Sequence, residues 1–193
     1  DSITDAGRNR EDPANLGTGY ALMAAGMVQA AFPGYDLKFI NRGISGNRAA
    51  DLKARWQEDC LDLKPDWVSV LIGINDTWRR YDQNNPTSTE AYAENYRTIL
   101  SQCKDAGIRI IMCEPFLLPT PADREVWRED LDPKIDSARK LAREFADVYV
   151  PFDGMFSQAA IEQKMSYWLP DGVHPSPAGH ALMAEAWMNA VGA

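Results

Sequence analysis

The chain has 193 residues, 45% of them hydrophobic and 25% charged, with a formal net charge of −8. That size suits a single domain spanning 1–193 with a substantial core. An acidic balance with no lysine–arginine block argues against nucleic acid or a membrane surface as partner, and no apolar run approaches the ~20 residues of a membrane span.

Asp1-Ser2-Ile3-Thr4-Asp5 leads into a polar loop that reaches about Leu16. Apolar residues at helical spacing predict a helix over 20–31, stopped by Phe32-Pro33-Gly34. Residues 36–40 alternate and read as a strand running into the loop Asn41-Arg42-Gly43-Ile44-Ser45-Gly46. An amphipathic helix over 49–63 is closed by Lys64-Pro65. The near-continuous apolar run 67–72 predicts a strand buried on both faces of a parallel sheet, emptying into Gly73-Ile74-Asn75-Asp76.

The alternation then repeats. A helix over 88–106 ends at Gly107, and a second buried strand covers 108–113. After a proline-rich loop over 116–122, helical periodicity runs through 124–145, with Pro133 marking a break or a new first turn. A short strand over 148–150 and a helix over 155–164 follow, and the 171–174 loop opens a last helix over 177–191. The expected fold is a three-layer α/β/α sandwich around a central parallel sheet of about five strands. Ligands bind such sheets at the carboxyl ends of the strands. A strand ahead of Ser2 would deliver it to that rim, so roughly ten upstream residues, a strand plus a turn, are expected in the natural protein.

The chain holds two histidines. One sits in Asp171-Gly172-Val173-His174-Pro175, where a carboxylate three residues ahead can turn back onto Nδ1 and leave Nε2 free to take a proton. Asp-Gly and His-Pro are also ordinary turn dipeptides. Ser2 has the setting of a nucleophile turn, or of an N-cap. Gly43 either brings a backbone N–H close to a substrate oxygen or is a plain loop glycine. Asn75 either aims its amide at that oxygen or forms an Asx-turn with Asp76. His180 lies at the start of the last helix, at a distance from His174 that suits no metal motif. Met183, Trp187 and Met188 have core or interface spacing. Cys60, Cys103 and Cys113, at unrelated spacings in apolar segments, read as reduced core thiols, which favours a reducing, cytoplasmic setting. Secretion after removal of a signal peptide is the other option.

Taken in order, Asp1-Ser2-Ile3-Thr4, the Gly43 loop, Gly73-Ile74-Asn75-Asp76 and Asp171-Gly172-Val173-His174-Pro175 resemble the four motifs of the SGNH (GDSL-type) hydrolases. The resemblance implies that Ser2 attacks an acyl carbonyl, that His174 is general base and then acid, and that Asp171 orients it. It also implies an oxyanion hole made by the Ser2 and Gly43 N–H groups and the Asn75 amide, with no cofactor and no metal.

Asp51-Leu52-Lys53-Ala54-Arg55-Trp56, Lys64-Pro65-Asp66-Trp67-Val68-Ser69 and Gly73-Ile74-Asn75-Asp76-Thr77-Trp78-Arg79 are similar to stretches of carbohydrate acetylesterases, above all those acting on xylan and xylo-oligosaccharides. An acetyl ester on a sugar hydroxyl is the substrate this implies. Trp78 and Arg79 would line the pocket mouth. Trp78 either stacks on a pyranose ring or is a core tryptophan, and Tyr167 and Trp168 are further candidates. Pro170 departs from those esterases, where an aromatic residue is expected. A homo-oligomer fits the same resemblance. The alternatives are an SGNH lipase, thioesterase or phospholipid-type acetylhydrolase, and a catalytically dead carbohydrate-binding module.

Overall fold

The computed structural model describes residues 1–192. The chain opens with a short helix α1 (Ser2–Asp5), followed by α2 (Tyr20–Ala31) and α3 (Ala49–Asp59). Strand β1 (Trp67–Leu71), helices α4 (Ile74–Gln83) and α5 (Thr89–Asp105), and strand β2 (Arg109–Cys113) come next. Helix α6 (Arg128–Phe145), strand β3 (Val148–Val150) and helices α7 (Phe152–Glu162), α8 (Met165–Trp168) and α9 (Pro177–Val191) complete it. The strands form one parallel sheet in the order β1-β2-β3, with Trp67 opposite Arg109 and Ile111 opposite Val148.

Side chains of β2 alternate between two apolar clusters, which is what places helices on both faces. Ile111 and Cys113 enter one cluster with Tyr20 and Ala24 of α2, Phe152 and Phe156 of α7 and Met183 of α9. Ile110 and Met112 enter the other with Leu52 and Trp56 of α3, Tyr92, Tyr96 and Ile99 of α5 and Leu141 of α6. The three-layer α/β/α expectation is therefore met, with the sheet as the middle layer. Cys60, Cys103 and Cys113 are buried free thiols. Among the described residues no helix is long and apolar enough to cross a membrane.

Several expected elements differ. Three strands, rather than about five, occur among the described residues. Residues 36–40 pair with no strand: the Leu37 N–H turns back to the Tyr35 carbonyl, 3.1 Å away, and a strand without a neighbour has no ladder to hold it. β1 is an edge strand, so Trp67 and Ser69 are exposed and only its end, Val70 and Leu71, is buried as expected. The 49–63 helix divides into α3 and a 3₁₀ turn, Leu61–Leu63, whose end is Lys64 in the left-handed region. Likewise 124–145 divides into a 3₁₀ stretch, Ala122–Trp127, and α6, which carries Pro133 inside it. α7 starts three residues earlier than expected.

Helix α4 is the main addition. Its spacing was available in the sequence, because Ile74, Thr77, Trp78 and Tyr81 fall at i, i+3, i+4 and i+7. The Gly73 turn ahead of it, at φ +138, and Asn84 behind it, in the left-handed region, mark its two ends.

Candidate active site

Asp1 caps α1: its Oδ1 accepts the Ile3 N–H at 3.0 Å, which leaves Ser2 as the first helical residue. The N-cap is thus Asp1, and the Ser2 hydroxyl is turned elsewhere. Ser2 Oγ lies 3.0 Å from Nε2 of His174, and Nδ1 of that ring lies 2.7 Å from Asp171 Oδ2. The second Asp171 oxygen, Oδ1, accepts the N–H groups of Val173 (3.0 Å) and His174 (2.7 Å). Burial opposes the charge on Asp171, but the His174 ring and those two backbone donors outweigh it. They hold the carboxyl well below the usual carboxylate range. Asp171 therefore stays an acceptor for Nδ1–H, and Nε2 faces the hydroxyl as a base.

The 171–174 loop is fixed by its packing. Gly172 sits at φ +85, and a Cβ there would meet the Thr120 and Leu118 carbonyl oxygens at 2.3 and 2.5 Å. Its own carbonyl accepts the Leu118 N–H at 3.0 Å, and fully buried Val173 anchors the loop in the core. Ser176 then caps α9 by accepting the Gly179 N–H at 3.1 Å, with Pro177 in the first turn.

Asn75 lies in the first turn of α4, not on a loop, and is 3% exposed. Its Nδ2 donates to the Asn47 carbonyl at 3.1 Å, and its Oδ1 accepts from Arg79 Nη2 at 3.4 Å. An amide nitrogen carries two hydrogens, so one is left for a ligand oxygen. Gly43 packs on the α1 backbone: a Cβ there would meet Asp5 N at 2.7 Å and the Thr4 carbonyl carbon at 2.9 Å. Its N–H is donated to Asn41 Oδ1 at 2.8 Å. A substrate oxygen at Gly43 has to share that hydrogen or displace Asn41.

Trp78 is half-buried and lies over the catalytic-type imidazole, with ring centroids 5.6 Å apart. Trp127, at 5.1 Å, and the guanidinium groups of Arg124 and Arg79, 5.4 and 5.9 Å from the ring centre, also adjoin Trp78. Arg79 reaches Asn75 and also pairs with Asp82. Tyr167 and Trp168 adjoin the segment after His174 through their backbone: the Trp168 carbonyl accepts the Ser176 N–H at 2.9 Å and the Tyr167 carbonyl accepts the Ser176 hydroxyl at 2.7 Å. The Trp168 indole donates to the Ala159 carbonyl at 3.0 Å, and the two rings pack on each other, 4.9 Å apart. Among the described residues no hydrogen bond or ring contact joins either side chain to Ser2, Asn75 or His174. A polar cleft of about 380 Å³ lies on the Asn75 side, lined by Ser45, Asn47, Arg48, Asp51 and Arg79.

Other contributors went unnoticed in the sequence. Buried Asn41 donates to the Thr4 and Leu16 carbonyls at 2.6 and 2.9 Å, tying the Gly43 loop to α1. Buried Asp5 accepts from Ser45 N and Oγ, both at 2.8 Å, and pairs with Arg8 and Arg10. Burial works against its charge, and the Arg10 and Ser45 bonds override that to hold its carboxyl below the usual range. His180 serves the fold rather than the chemistry. Its Nδ1 accepts the Tyr20 N–H at 3.1 Å, capping α2, whose N-cap Gly19 has no side chain to do so. Burial, helped by His174, lowers its basicity and keeps the ring neutral, as an acceptor must be. Trp187 packs against the core, its indole donating to Ser69 Oγ at 3.0 Å.

The chain is 36% identical over its full length to the acetylxylan esterase of Geobacillus stearothermophilus, of which it covers 91%. Two solved structures are catalytic mutants of Axe2, an acetylxylan esterase from the same organism, one altered at a histidine and one at a serine. They superpose with TM-scores of 0.91 and 0.90 at 34% identity, covering 100% of this chain and 91% of theirs. A candidate GDSL-like lipase from Parabacteroides merdae superposes with a TM-score of 0.95 at 38% identity, over 100% of this chain and 92% of that one. Residues 1–182, which run from the serine hydroxyl to the imidazole it faces and beyond, match the GDSL-like Lipase/Acylhydrolase family, and the chain belongs to it.

Proposed function

We propose that the protein is a serine esterase that removes acetyl groups from carbohydrate, with acetylated xylo-oligosaccharides as its substrate class. The observation that carries the reading is the Ser2–His174–Asp171 relay, with its 3.0 and 2.7 Å links. Likeness to an acetylxylan esterase over the whole chain supports the acetyl ester and the sugar. The polar cleft beside Asn75 suits hydroxyl-rich substrate better than an acyl chain, because its lining offers hydrogen-bond partners rather than apolar surface.

In this mechanism Ser2 Oγ attacks the acetyl carbonyl carbon while His174 Nε2 takes the hydroxyl proton. Negative charge moves to the carbonyl oxygen. The Ser2 N–H and the free hydrogen of Asn75 Nδ2 meet it there, and Gly43 contributes as Asn41 yields its share. His174 returns the proton to the departing sugar oxygen as the C–O bond breaks, leaving acetyl-Ser2. Water, deprotonated by the same Nε2, then attacks the acetyl carbon and releases acetate with Ser2 restored. Asp171 holds the imidazole in the tautomer that both half-reactions need.

The test is acetate release from acetylated xylo-oligosaccharides and from an aryl acetate, with Ser2→Ala as the comparison. Wild type should release acetate from both, and Ser2→Ala should lose at least ~10³-fold. Undiminished release by Ser2→Ala would overturn the reading. A steep preference for long acyl esters would replace the acetylesterase with a lipase-type activity.

A further inference from the structure

We propose that Asp76 is a positioning residue for the oxyanion donor Asn75, acting through the backbone of residues 47–49. This rests on the role given to Asn75 above. Two successive side chains of the first turn of α4 grip that segment with opposite polarity. Asn75 Nδ2 donates to the Asn47 carbonyl at 3.1 Å, and Asp76 Oδ2 accepts the Ala49 N–H at 3.1 Å. Ala49 opens α3, where the first N–H groups have no partner within the helix. Asp76 therefore caps α3 from across the site. Ala49 and Asp76 are fully buried, which keeps water from substituting for the bond between them, whereas the Asn75–Asn47 bond is only partly buried.

The grip matters because the direction of the Asn75 amide is set from outside its own helix. Its Oδ1 has only a long bond to Arg79, at 3.4 Å, so the Asn47 carbonyl is the closer anchor. Asn47 and Arg48 are half-exposed and border the polar cleft, and Ala49 is the buried point that secures them. Among the described residues, buried Asp76 Oδ1 has no partner, so the carboxyl occupies this position at an energetic cost that helix capping alone does not demand. Burial pushes that carboxyl up to about 7, against the Ala49 N–H bond and the charges of Lys134 and Arg48 and with that of Asp51. Oδ2 can accept from Ala49 whether or not the group is protonated, so the grip persists across neutral pH.

The experiment is a double-mutant cycle on the intact protein, read as kcat and KM for an acetylated xylo-oligosaccharide. Asp76→Ala should lower kcat by roughly 10- to 100-fold with KM changed by less than about threefold, as a small misplacement of a transition-state donor does. Asp76→Asn, whose amide oxygen can still accept from Ala49, should recover most of that loss. In an Asn75→Ala background, Asp76→Ala should cost less than about threefold more, because the group it positions is gone. Losses that multiply instead would overturn the proposal, as would an Asn variant as poor as the alanine one. Should Asp76→Ala not fold, Ala49→Pro deletes the donated N–H at a first-turn position where proline is accepted, and the same cycle applies. An Asn75→Ala enzyme with unchanged kcat would refute the role of Asn75 itself, a result distinguishable from either failure of Asp76.

Discussion

At the scale of single residues, two carboxyl groups near the reaction centre are driven in opposite directions. Asp171 is ringed by donors and held ionised, whereas Asp76 is buried with one backbone partner and its pKa is raised to about 7. A carboxyl raised in the folded state favours folding when protonated. Its contribution is complete below the ordinary value of 3.8 and is lost as pH rises through about 7. Asp76→Asn stays neutral, so its Tm should exceed that of wild type at pH ~8 and approach it near pH ~4. Calorimetry at the two pH values checks this, and a difference independent of pH would contradict it. The meeting of Ser2, His174 and Asp171 was legible because short motifs bring their chemistry with them, and the same motifs mark Gly43 and Asn75, the proposed oxyanion donors. Asn41, Asp5 and Arg124 were not, because each acts on a partner many positions away through a contact that no periodicity announces.

At the scale of elements, turns decide whether the motifs meet. The 171–174 loop depends on Gly172 twice, for its φ of +85 and for the carbonyl oxygens that crowd its missing Cβ. Gly172→Ala should therefore lower stability by about 1–3 kcal/mol and reduce kcat more than KM, as Asp171 and His174 lose alignment. Thermal unfolding and steady-state kinetics read both, and an alanine enzyme with native Tm and kcat would show that the loop tolerates a side chain. The helices were mostly predictable from apolar spacing, with errors at their ends where 3₁₀ turns take over. Residues 36–40 misled for a physical reason: alternation signals a half-buried extended chain, and Leu37 and Phe39 are half-buried between exposed neighbours, but pairing depends on a neighbour. Helix α4 hid behind Gly73-Ile74-Asn75-Asp76, whose residues also make good turns.

At the scale of the whole molecule, the helical layers are joined to the site by buried polar contacts that respond to acid. The fold needs His180 neutral to accept the Tyr20 N–H that links α9 to α2, and burial already depresses its basicity. For a histidine lowered in the folded state, the stabilising share is present above the ordinary value of 6.5 and is lost as pH falls below it. His180→Gln keeps an acceptor without titrating. Its Tm should fall less steeply than that of wild type between pH ~7 and ~5. Parallel curves would remove His180 from the acid response.

The hydroxyl of Ser2 and the imidazole it touches are 172 positions apart in the chain. Nearly everything between them has to be in place before the two atoms can meet, so hydrolytic turnover is a stringent reporter of complete folding. Because Ser2 is synthesised before His174, the pair proposed to cleave esters forms only once the 171–174 loop has docked against the helix that carries the hydroxyl.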